Sequence, residues 1–105
     1  MASQLLKKQW RFSRMVTSLI NFAHMLGYEV VIDYTKRCED CPVGHANSLH
    51  KKKLAIDIDL FIDGALLRDT SQYTELGEFW TAIGGSWGGD FGDGRHFSLE
   101  HQGMR

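Results

Sequence analysis

Apolar positions Phe12, Met15, Val16, Leu19, Ile20, Ala23 and Leu26 recur every three or four residues, the spacing of one face of an α-helix. Ser3 stands where an N-cap is needed and Gly27 where a helix end is, so the pattern predicts a long first helix between them. The next stretch, "YEVVIDY", is short and β-branched and predicts a strand over Tyr28 to Tyr34. Periodicity is then lost from Thr35 to Leu49, a segment that holds the single proline and both cysteines. In "LAIDIDLFIDG" it returns with period two. Leu54, Ile56, Ile58, Leu60 and Ile62 share one face, predicted to be core, and Ala55, Asp57, Asp59, Phe61 and Asp63 share the other.

Asp63-Gly64 is a turn signal, and "ALLRD" is suited to return as an antiparallel partner. Leu76, Phe79, Trp80 and Ile83 again sit at helical spacing, with Gly84-Gly85 to close a second helix. After the glycine-rich "SWGGDFGDG" comes a last candidate strand, "RHFSLEH". There His96, Ser98 and Glu100 face one way, Phe97 and Leu99 the other. The predicted class is α+β: an N-terminal helix and a second helix packed on a small, mainly antiparallel sheet. At 105 residues the chain is expected to form one domain, residues 1-105, with a single core and as a monomer.

Charge narrows the partners. Twelve basic against thirteen acidic side chains give a net charge of -1 and no basic stripe, so nucleic acid is not an expected partner. The apolar stretch from Met15 to Leu26 is broken by Thr17, Ser18, Asn21 and His24, which argues against membrane insertion. "MASQLLKKQW" shows no signal-peptide pattern, so accumulation in cytoplasm is expected.

The chemistry lies in histidines and carboxylates. A catalytic zinc takes three protein ligands, commonly imidazole and carboxylate, and keeps a position open for water. His50, at a loop end, can swing over Asp57 on the following strand, and His96 can reach the same point from a neighbouring strand. Asp93, on a glycine-flanked turn before His96, is placed to act as general base. A competing set is Cys38 and Cys41 with His45 and His50, spaced as in a structural zinc knuckle, which would withdraw His50 from the first site. Trp87, on the glycine-rich segment, is a candidate for lining a cleft. Asp59 is expected to be exposed or to support the site from behind.

"SLHKKKLAID" resembles the Ser-x-His-x-x-Gly-x-Ala-x-Asp motif of the zinc peptidases that cut peptidoglycan stem peptides, the D-alanyl-D-alanine carboxypeptidase and L-alanyl-D-glutamate peptidase group. "GGSWGGDFGDGRHF" is similar to that group's closing segment, and the likeness is greatest to short phage members of endolysin type. The resemblance implies the hedgehog/DD-peptidase fold, zinc held by His50, Asp57 and His96, and Asp93 as catalytic acid/base. It further implies that Arg37 holds a substrate carboxylate or carbonyl and that Ser48 supports substrate or loop. The implied activity is hydrolysis of a stem-peptide amide bond in phage lysis, by an enzyme that waits in the host cytoplasm until the membrane is opened. The alternative is a non-catalytic zinc-binding module of the same fold, associated with wall or virion. Two positions depart from the motifs: Lys53 stands where the group has glycine, and Ser98 where glutamate often follows His-Phe.

Overall fold

The computed structural model of the chain describes residues 2–33 and 52–105. Helix α1 runs over Gln4–Met25, and the Ser3 side chain caps it by accepting from the Leu6 amide at 3.1 Å. The chain leaves the helix through Gly27 at φ 93°, a left-handed conformation that glycine adopts without a Cβ clash. Strands β1 (Glu29–Asp33) and β2 (Ala55–Ile62) pair antiparallel. The Asp63-Gly64 turn leads into β3 (Ala65–Leu66), which pairs with the end of β2. A short helical turn over Thr70–Tyr73 precedes α2 (Thr74–Ala82). Then come β4 (Ser86–Trp87), a second helical turn over Gly88–Phe91, and β5 (His96–Ser98).

Among the described residues the sheet order is β1-β2-β5-β4, with β3 beside β2 and every pairing antiparallel. This is the α+β arrangement expected from the sequence. Leu54, Ile56, Ile58 and Leu60 of the inward face are fully buried together with Phe97, and α1 and α2 cover that face through Leu19, Leu76 and Trp80. Trp80 is the centre of this layer. Its ring meets Phe12 and Phe97 edge to face, at 5.7 and 5.9 Å between centroids. Its indole N–H donates to the Ser98 carbonyl at 2.8 Å, so α2 holds the end of β5 directly.

Three expectations need revision. Ile62, on the face predicted to be core, is exposed, because the sheet has narrowed to the β2–β3 hairpin where it lies. The return strand expected over "ALLRD" shrinks to Ala65–Leu66, since Asp69 opens the helical turn that follows. The glycine-rich segment, to which periodicity assigns no element, contributes β4, whose Trp87 pairs with Phe97 of β5.

Candidate metal centre

Strand pairing builds the site on the face of the sheet opposite the helices. Asp57 of β2 stands directly opposite His96 of β5, and on its other side opposite Asp33 of β1, so three polar residues form a row across three strands. Directly opposed residues project from the same face of an antiparallel pair. The row behind it holds Ala55 and Ser98; the row ahead holds Val31 and Asp59. Asp57 is only 1% exposed, a position that a carboxylate occupies at low cost only with charged or metal partners nearby. His96 Nδ1 lies 3.6 Å from Asp57 Oδ1, beyond hydrogen-bond length. Two atoms bound about 2.0–2.1 Å from one tetrahedral ion stand about 3.3–3.4 Å apart, so this spacing suits ligands that share a metal.

Asp93 completes the cluster. One ligand atom from each of Asp57, Asp93 and His96 lies within 4.8 Å of the others. One imidazole and two carboxylates form a donor set suited to zinc and other divalent first-row ions.

The segment carrying Asp93 is pinned on both flanks. The Thr70 hydroxyl donates to the Gly92 carbonyl at 3.1 Å and accepts from the Gly94 amide at 3.2 Å, bracketing Asp93 from the helical turn before α2. The Trp87 indole N–H donates to the Gly94 carbonyl at 2.8 Å. His96 N donates to Asp93 O at 3.2 Å, and Asp93 N to Gly88 O at 2.9 Å. Gly88 meets this segment so closely that a Cβ there would strike the Asp93 carbonyl, which explains why glycine stands at that position. Trp87, expected as a possible cleft residue, is instead a wedge. Its ring lies against Gly77 and Gly89, where any side chain would collide with it.

Asp59, on the same face as Asp57, forms an ion pair with Arg95, the residue before His96. Asp90 lies outside the cluster, exposed and 4.0 Å from Arg105. Burial pushes the phenol of Tyr73, behind Asp59 and Arg95, above its ordinary value of 10.0; the Leu60 amide bond opposes the shift and the charge of Asp59 adds to it.

Of the residues singled out in the sequence, the fold therefore brings Asp57, Asp93 and His96 together. His50, Arg37 and Ser48 lie outside the described residues, as do Cys38, Cys41 and His45 of the competing set. The sequence alone does not mark Asp33 or Thr70 as belonging to the site. Asp33 ends a β-branched strand, and its place opposite Asp57 depends on register. Thr70 carried no signal beyond a break in periodicity.

A family model described as D-alanyl-D-alanine carboxypeptidase matches residues 43–99, more than half of the chain. The matched span contains Asp57, Asp93 and His96. No curated protein matches the chain.

Proposed function

Because the chain belongs to the D-alanyl-D-alanine carboxypeptidase family, we propose that it is a zinc-dependent peptidoglycan peptidase that hydrolyses an amide bond of the cell-wall stem peptide. The observation that carries the reading is the convergence of Asp57, Asp93 and His96 on the face of the sheet opposite the helices. In this reading Asp57 and His96 hold the metal together with His50, and Asp93 is left for proton transfer. Zinc, when bound, acidifies water and polarises a carbonyl.

The Asp93 carboxylate takes the proton of the water that adds to the scissile carbonyl carbon, then delivers it to the amine nitrogen as the C–N bond breaks. Products are a carboxylate and a free amine. Arg37 orients the substrate and Ser48 supports it. In a metal-binding module without peptidase activity Asp93 would serve as a third ligand, so Asp93→Ala would cost metal; in the enzyme it would cost cleavage and leave the metal in place. The setting in phage lysis, with the enzyme acting from the host cytoplasm once the membrane is permeabilised, rests on the likeness of the two motifs to short phage members. No helix among the described residues is long and apolar enough to cross a membrane.

The test combines metal analysis with mass spectrometry of digested peptidoglycan. The purified chain is expected to hold one zinc and to release stem-peptide fragments whose masses identify the bond cut. Asp93→Ala is expected to keep the metal and lower cleavage by about 10²–10⁴-fold, the usual contribution of a positioned acid/base. Full zinc occupancy in both Asp57→Ala and His96→Ala would refute the ligand assignment, and intact peptidoglycan after exposure to the zinc-loaded parent would refute the activity.

A further inference from the structure

Asp93 borders a second feature besides the cluster, an open cavity of ≈ 200 Å³. Arg68, Thr70 and Tyr73 form one side of it and the turn from Gly92 to Arg95 the other. Most of the polar groups in this wall are committed within the protein. The Tyr73 hydroxyl donates to the Leu67 carbonyl at 2.8 Å and accepts from the Leu60 amide at 3.1 Å. The Thr70 hydroxyl is engaged by Gly92 and Gly94, and Arg95 is paired with Asp59. Arg68 has no carboxylate partner among the described residues, although it lines the cavity. The result is a concave polar wall in which the Arg68 guanidinium, next to the group assigned to proton transfer, is left without a carboxylate partner among the described residues.

We propose that this cavity is a carboxylate subsite, in which Arg68, with Arg95 beside it, receives a carboxylate of the same peptide whose scissile bond lies at Asp93. The proposal rests on the peptidase reading and adds a specificity determinant to it. A guanidinium fork matches the two oxygens of a carboxylate, and a charge-assisted pair of this kind is stronger than a neutral hydrogen bond. The volume is below the ~300–1,000 Å³ of sites that enclose whole small molecules, so it suits the end of one residue rather than a complete ligand. A doubly charged phosphate would face stronger repulsion from the Asp93 and Asp59 carboxylates than a singly charged carboxylate does. A stem peptide offers two carboxylates near its scissile bonds, the D-glutamate α-carboxylate and the terminal D-alanine.

The test measures binding by calorimetry in the whole zinc-loaded chain carrying Asp93→Asn, so that peptides stay intact. The probes are a stem pentapeptide as the free acid, two versions each amidated at one of those carboxylates, and one amidated at both. Arg68→Gln is expected to weaken the free acid about tenfold and to leave the doubly amidated peptide unchanged, with Arg68→Lys recovering part of the loss. The singly amidated peptide that has lost its sensitivity to Arg68→Gln identifies the carboxylate seated in the cavity. Equal binding of acid and amide by the parent, no binding of the acid, or an Arg68→Gln chain that binds every peptide as the parent does, overturns the subsite. If the Arg68 dependence holds but the unsubstituted chain cuts no peptide, the peptidase reading fails and the subsite stands. Cleavage without Arg68 dependence fails the subsite alone.

Discussion

Lys53 enters β2 with φ 59°, in the left-handed region that side chains with a Cβ reach at a cost of about 1–2 kcal/mol. It occupies the position where the resembled motif has glycine, and the backbone there keeps the shape that glycine would favour. Lys53→Gly is accordingly expected to raise stability by about 0.5–1 kcal/mol, because relief of the strain is partly offset by the freer unfolded chain. A urea titration reads this as a higher midpoint at unchanged slope. Thr70 acts on Asp93 through position, because its hydroxyl is engaged by the residues on either side of that carboxylate. Thr70→Val removes both hydrogen bonds that bracket Asp93 and is expected to lower kcat about tenfold at nearly constant KM, while Thr70→Ser restores it. An equal loss in the serine variant would mean that the methyl group, not the hydroxyl, sets the geometry.

At the scale of elements, β5 is a three-residue strand held at three places. It pairs with β2 and with β4, and Trp80 of α2 binds the Ser98 carbonyl. Trp80→Phe keeps much of the apolar ring but leaves that buried carbonyl without its donor, a loss expected to cost about 1–3 kcal/mol in chemical denaturation. Both helices and the strand β2 were legible in the sequence because a long run at one period leaves little choice. Ser3, Gly27 and the alternation from Leu54 to Leu60 took the places predicted for them. β4 was not legible, since two residues among glycines carry no period.

The site was legible in a different way. Alternation puts Asp57 and Asp59 on one face but does not say what covers that face. It therefore predicts a half-exposed pair, where the fold buries Asp57 and ties Asp59 to Arg95. Nor does it fix register, which places Asp33 and His96 on either side of Asp57. The spacing of His50, Asp57 and His96 suggested a metal; the motif likeness is what singled out these residues among other candidates.

For the molecule as a whole, Tyr73 couples the site face to the stability of the fold. Its phenol is fully buried, and its hydroxyl joins β2 to the segment after β3 through Leu60 and Leu67. The folded state favours the neutral phenol, so its contribution is complete below the ordinary value of 10.0 and is lost as pH climbs from there through the raised folded value. Denaturation midpoints measured on either side of pH 10 are expected to fall more steeply for the parent than for Tyr73→Phe. Equal slopes would show that other groups govern the alkaline loss.

The row Asp33–Asp57–His96 draws one residue from each of three strands that are distant in sequence. No fragment ending before β5 contains the row, so during synthesis the site closes only after β5 has emerged and docked. The order of strand pairing therefore times the appearance of the site, whatever the rate at which the helices form.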